Sequence, residues 1–348
     1  MPDFLVFLLV IGGLILGHEL GHFIAAKLLG VKVEEFGIGF PPRLITLFTA
    51  GDTKFSINLI PFGGFVRLSG EDDPTVEGGL ASASKKVRTA VLLAGPAANI
   101  LIAIIAFTAA FKFAAPDEAR VMVTGIDEAS PAESVGVLPG DVFLEVDEVT
   151  IDGVSSLVAA ISDNLGEETV FIFERKGEPY TVVIIPRVNP PEGRGAIGVT
   201  LGHPSKDIGW VESFTSGIRS ATFQMTELVY LPSRVIRGEI APEQARVSGF
   251  KGMYDLIAWA GEIDRTAQRP FLTLNLIGII SIGLAIANLL PIPALDGGRL
   301  TFIGIEAVIG RRISPQYEGL AHAIGFFVLL AILIYVNFLD FVKPIPLP

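Results

Sequence analysis

Residues 4–17, FLVFLLVIGGLILG, run without a break into His18-Glu19-Leu20-Gly21-His22. A spanning helix rarely carries such groups unless they are functional, because hydrocarbon does not solvate them. On a helix His18 and His22 lie four residues apart and face one side, with Glu19 next to them. HExxH at this spacing is the pattern of a water-activating zinc site, with two ligands and a carboxylate that can touch the water. The plain structural alternative is that the histidines pair with other buried polar groups. Two His and one Glu within five residues of one span fit that alternative poorly.

The rest of the chain supports a membrane setting. Half of the 348 residues are hydrophobic, 18% are charged, and mean hydropathy is +0.57. Four apolar runs of about 20 residues lie at 4–28, 90–114, 271–291 and 320–340. The expected fold is a polytopic α-helical membrane protein with about four transmembrane helices. The first run is read as a retained helix and not a cleaved signal. No basic residue precedes it, and the apolar pattern continues through FIAAKLLGV. There is no cysteine, so a zinc site must use His, Asp or Glu. The net charge of −11 argues against a nucleic-acid partner.

Charge suggests the orientation. Lys32, Arg43, Lys54, Arg67, Lys85, Lys86 and Arg88 follow the first span, and Arg299, Arg311 and Arg312 separate the last two. By the positive-inside rule both connections are cytoplasmic and both termini lie outside. The segment between spans two and three is then outside. Residues 1–115 hold spans one and two, with a short β region at 33–70 that is apolar enough at PFGGFV to enter the interface. Residues 116–204 alternate short β runs with turns and read as a compact β-rich module. Residues 205–270 read as amphipathic helices, with Phe214, Ile218, Ala221, Met225, Leu228 and Val229 at helical spacing. Residues 271–348 hold spans three and four and the Leu295-Asp296-Gly297 motif.

A catalytic zinc uses three protein ligands and keeps one position open. His203 follows the β module, on the wrong side for this role. His322 begins span four and is a candidate. Asp296 is the better one, set where Pro291 and Pro293 break the third helix and Gly297-Gly298 allow a tight turn. Its simpler role would be to cap the next helix. Fourteen apolar residues before His18 make about 21 Å of helix, which places the histidines in the cytoplasmic half of a core about 30 Å thick. Asn288 is polar within span three. It could donate to a developing oxyanion, or it could bond a neighbouring helix. Gly95 and Asn99 read as packing positions of span two.

HELGHFIAAKLLGV at 18–31, PFGGFVRLSGEDD at 61–73, AGPAAN at 94–99 and NLLPIPALDGGR at 288–299 together resemble the site-2 protease family of intramembrane zinc proteases. The resemblance spans essentially the whole chain and is closest to the bacterial branch typified by the regulator of sigma-E protease. It implies Zn2+ held by His18, His22 and Asp296, Glu19 as acid/base, and a substrate-contacting role for Asn288. It also implies that residues 61–68 belong to a membrane-associated β element that pairs with an extended substrate.

The module at 116–204 resembles a single inserted PDZ domain, best at 130–153. It could bind a new carboxyl terminus or exclude bulky outer domains, and exclusion is favoured. The family's turn before span three appears as SGFKG at 248–252, with Phe250 and Lys251 departing from its pattern.

The implied substrates are single-span membrane proteins within the bilayer, such as an anti-sigma factor or remnant signal peptides. The implied location is the bacterial cytoplasmic membrane. Two other classes were weighed. A catalytically inactive PDZ-bearing scaffold would show a damaged zinc set. A transporter would show inverted repeats, and none is apparent.

Overall fold

The computed structural model describes residues 2–191, 193–242, 245–267 and 269–344. Two compact units divide it: residues 1–110, 211–263 and 272–348 form one, and residues 111–210 with 264–271 the other.

The first unit carries four helices long and apolar enough to cross a membrane: α1 (Asp3–Leu28), α2 (Lys85–Ala114), α7 (Phe271–Leu289) and α9 (Pro315–Val342). At 1.5 Å per residue the 19 residues of α7 reach about 28 Å, enough for the hydrocarbon layer. Between α1 and α2, β1 (Val33–Ala50) and β2 (Thr53–Leu68) form a hairpin that bends back on itself. Phe36, Gly37 and Ile38 are matched on one side to Phe55, Ser56 and Ile57 and on the other to Val66, Phe65 and Gly64. Glu35 is buried within it and accepts from Arg43 Nε (2.8 Å) and Ser56 Oγ (2.7 Å). A buried charge is stable only when paired in this way. Phe62 of β2 packs on the buried Phe7 and Ile11 of α1, well inside the span.

Two amphipathic helices follow the other unit, α5 (Trp210–Ile236) and α6 (Phe250–Ala267). The stripe expected to bury α5 does so only in part. Ala221, Met225 and Leu228 join a cluster with Ala103, Phe107 and Ile282, while Phe214, Ile218 and Val229 stay exposed. Small residues make the contact instead. Ser213, Gly217 and Ala221 are buried, and a Cβ on Gly217 would lie 2.4 Å from Thr108 Oγ1. Close approach through small residues is how helices pack in lipid. The SGFKG turn is held by a carboxylate of a distant helix. Asp340 of α9 accepts from the amides of Gly249 (2.8 Å) and Gly252 (2.9 Å) and from Arg246.

The second unit holds the β-rich module: β3 (Val121–Ile126), α3 (Pro131–Ser134), β4 (Val142–Val146), β5 (Val149–Thr150), α4 (Val154–Asp163), β6 (Thr169–Arg175), β7 (Glu178–Ile184) and β8 (Val199–Gly202). The sheet runs β7-β6-β4-β3-β8, with β5 paired to β4. Alternation places Thr169, Phe171 and Phe173 of β6 inward, against Phe143, Val121 and Leu157. A groove of about 330 Å³ lined by Val158 and Ile161 of α4, by Leu165 just after it and by Val199 and Leu201 flanks β8, the last strand of the sheet.

One buried carboxylate anchors this module. Asp141 accepts from Arg175 Nε (2.7 Å), Arg175 Nη2 (2.7 Å), Tyr180 Oη (2.6 Å) and Leu138 N (2.7 Å). Burial alone would raise its carboxyl, but these donors hold it below the usual carboxylate range. A group with a depressed folded pKa contributes stability above its unfolded value, near pH 4, and loses it as pH falls through the folded value. Asp141→Asn is therefore expected to weaken the module by about 1–3 kcal/mol at pH 7, and by less below about pH 4. Amide hydrogen exchange of β4 and β6 in the full chain measures this. An equal loss at both pH values would assign Asp141 a packing role only.

Candidate metal centre

The helical periodicity of α1 turns His18 and His22 to one face, where both are buried. Asp296 opens α8 (Asp296–Ile309) directly after the broken end of α7. His18 Nε2 lies 3.1 Å from His22 Nε2 and 3.1 Å from Asp296 Oδ2, and His22 Nε2 lies 3.3 Å from the same oxygen. Tetrahedral zinc with bonds of about 2.0–2.1 Å separates its ligands by roughly 3.3 Å, so the three atoms match one face of such a tetrahedron. The three are the described residues grouped as a metal-binding set.

The surroundings fit a cation on three further grounds. First, His22 Nδ1 donates to Val91 O at 2.8 Å, which leaves Nε2 unprotonated and free to ligate. Second, a Cβ on Gly95 would lie 2.4 Å from His22 Nε2 and 2.7 Å from His18 Nε2. Only glycine leaves that space open beside the ligating nitrogens. Third, Asn99 is fully buried with its amide 3.3 Å from His18 Nδ1, and its Oδ1 has no partner. With His18 ligating through Nε2, Nδ1 carries the proton. Turning the Asn99 amide over then gives that proton an acceptor and satisfies the orphaned oxygen.

The turn that delivers Asp296 is braced from behind. Ala294 has a left-handed backbone (φ 78°), and its N–H donates to His322 Nδ1 at 2.7 Å. His322, the alternative ligand, is thus a brace for the Asp296 turn. A Cβ on Gly297 would lie 2.3 Å from Leu289 O, so glycine is required where the turn closes onto α7. Arg299, one turn into α8, pairs with Asp72 (3.0 Å) and Glu71 (3.3 Å) of the segment after β2.

Glu19 Oε2 accepts from Val66 N of β2 at 3.0 Å, beside the centre and on the 61–68 stretch. Asn288 stands apart in its bonding. Its Nδ2 donates to Leu284 O at 3.0 Å, within its own helix. Asn99 was read from sequence as packing, and the structure adds a bond to a ligand. Its signal was available: a carboxamide in the middle of a span is costly unless paired.

Outer partners of ligating histidines typically change metal affinity 10–100-fold. Asn99→Leu is expected to weaken zinc binding by about that factor while helix content stays at the wild-type level. Competition against a zinc chelator reads the affinity. Unchanged affinity would remove Asn99 from the centre's support.

The chain is similar to known proteins along its length. The zinc metalloprotease RasP of Oceanobacillus iheyensis is 27% identical over 429 residues, covering 98% of this chain and 99% of that relative. RasP of Geobacillus kaustophilus is 26% identical over 435 residues, covering 99% and 98%. A Clostridium acetobutylicum protein is 30% identical over 348 residues, covering 99% and 98%. Among solved structures, the PDZ domain of an SdrC-like protein from Listeria monocytogenes is 21% identical, with a TM-score of 0.21, over 23% of this chain and 85% of that one. Residues 6–332 match peptidase family M50. The chain belongs to that family of multi-pass, intramembrane zinc metalloproteases.

Proposed function

We propose that the chain cleaves single-span membrane proteins whose outer domain has already been removed, at a bond in the cytoplasmic half of the bilayer. The observation that carries this is the His18–His22–Asp296 cluster with Glu19 docked on a strand edge, His18, Glu19 and His22 lying within an apolar span. An anti-sigma factor and remnant signal peptides are the substrate classes that fit. The basic connections around Lys85–Arg88 and Arg311–Arg312 support cytoplasmic placement of that side.

Zinc, when bound, acts as a Lewis acid on the scissile carbonyl and makes water more acidic. Glu19 takes the proton from the attacking water and returns it to the leaving amine. Its Oε2 rests on Val66 N, so Oε1 is the oxygen available for the proton. A transmembrane helix hides its carbonyls and must open before attack. Residues 64–66 pair with residues 36–38 on one side. An extended substrate that adds to the other side takes over the Val66 N–H and frees Glu19 for proton transfer. Asn288 donates within α7 to Leu284 O, and its proposed role is to contact the substrate backbone once that bond is given up.

The first test offers the purified chain a synthetic single-span substrate with and without an outer domain, with products read by mass spectrometry. Cuts within the span of the shortened substrate are expected, falling about 10²–10⁴-fold in Glu19→Gln with zinc retained. Equal cutting by Glu19→Gln, or of the substrate with its outer domain intact, overturns the corresponding part. The second uses Val66→Pro, which deletes the shared N–H. Cleavage should drop about two- to tenfold, from the lost bond to the substrate carbonyl, worth about 0.5–1.5 kcal/mol. Wild-type cleavage in that variant would end the strand-pairing account.

A further inference from the structure

We propose that the cleft between the start of α2 and the α8–α9 connection binds the phosphate headgroup of an anionic phospholipid. The cleft has a volume of about 430 Å³ and is walled by Lys85, Arg88, Arg311, Arg312 and Glu306. It lies in the same unit as the metal centre but is formed by none of its ligands.

The wall has more positive charge than its own carboxylates absorb. Glu306 is buried and accepts from Arg88 Nη1 at 2.7 Å, so one cation is neutralised. Lys85 Nζ spends one donor on Glu306 O (2.9 Å). Arg312 Nη1 donates to Ala81 O (2.6 Å), and its Nε is buried without a hydrogen bond, 3.7 Å from Glu306 Oε1. Arg311 is exposed and has no ion pair among the described residues. Glu318 is the second acid within electrostatic reach. Four cations against two carboxylates leave an excess of positive charge that suits a bound anion.

A lipid fits better than a free phosphate because of what flanks the cations. α2 begins at Lys85 and α9 at Pro315, so the cleft sits at the end of two spans, at headgroup depth. Val308 and Ile309, just before the two arginines, are 88% and 55% exposed, and Leu320, just after them, is 58% exposed. Acyl chains can lie along these side chains while the phosphate meets Lys85, Arg311 and Arg312. Neither Glu19 nor the metal ligands take part, so this site stands independently of the proteolytic reading.

The test uses the delipidated full chain in neutral detergent and native mass spectrometry, with phosphatidylglycerol, phosphatidylcholine and inorganic phosphate as probes. Phosphatidylglycerol should be retained at least tenfold better than phosphatidylcholine, and less at high salt. Each cation near a lipid surface contributes about fivefold in binding, so Lys85→Gln/Arg311→Gln should weaken retention on the order of twentyfold. If the double variant loses its zinc, the single Arg311→Gln, at an exposed position, should still show about fivefold. Equal retention of the two lipids, or wild-type retention by Arg311→Gln, overturns the proposal. Inorganic phosphate binding as tightly as phosphatidylglycerol overturns the lipid assignment in favour of a free-anion site.

Discussion

Two carboxylates and two imidazoles meet where the apolar span α1 faces the broken end of α7. Asp296 is held only by His18 and His22, and Glu19 only by the amide of Val66, among the described bonds. Among the described residues no lysine or arginine reaches either carboxylate to offset it. Buried charge of this kind costs several kcal/mol per ion unless it is compensated. A divalent cation balances both acids at once and turns three facing lone pairs from a repulsion into a coordination face. The chemistry that makes the site a protease is therefore also what allows these residues to coexist there.

The helix bundle is arranged around that requirement. α1 supplies two ligands. α2 supplies the Val91 carbonyl, the open space at Gly95 and the Asn99 amide, and Asn99 O in turn accepts from Ser281 of α7 at 2.7 Å. α7 ends at two prolines so that Asp296 can turn inward, and α9 braces that turn through His322. A Cβ on Gly325 of α9 would lie 2.3 Å from Pro293 O, so α9 also sits hard against it. Every span touches the centre or its direct support. A shift of one helix would move a ligand or its hydrogen-bond partner.

Sequence reading went furthest where one residue type has one physical explanation. Long apolar runs mark spans, and HELGH within one marks a metal site. Asp296 followed from the prolines and glycines around it. Period-two alternation exposed the strands of the module. Reading failed where the partner is remote in sequence. His322 was a plausible ligand because histidine at a span end is ambiguous, and only the fold shows it bonding a backbone amide 28 residues earlier. Asn99 lies 81 residues from His18, so its bond could not be seen from spacing. The helical spacing of α5 does not show which of its residues make the contact, because large apolar residues dominate a periodicity count. Its contact with α2 depends on Gly217, which adds nothing to that count.

A β-hairpin against a spanning helix is itself unusual, and its energetics bear on how a substrate is taken. Backbone amides in apolar surroundings must be paired, and each unpaired one costs about 1–3 kcal/mol. The 64–66 segment meets this on one side through residues 36–38, and at Val66 on the other side through Glu19. A substrate helix that unwinds loses a few internal bonds of the same kind. On the proposed strand pairing, adding to the open side of the segment would restore about as many. The exchange would then be close to neutral, so little free energy would be needed to open a helix here and much elsewhere in the bilayer. On that proposal, selectivity for the scissile segment would fall to residues that resist or permit unwinding, such as glycine, proline and β-branched side chains, more than to any side-chain pocket.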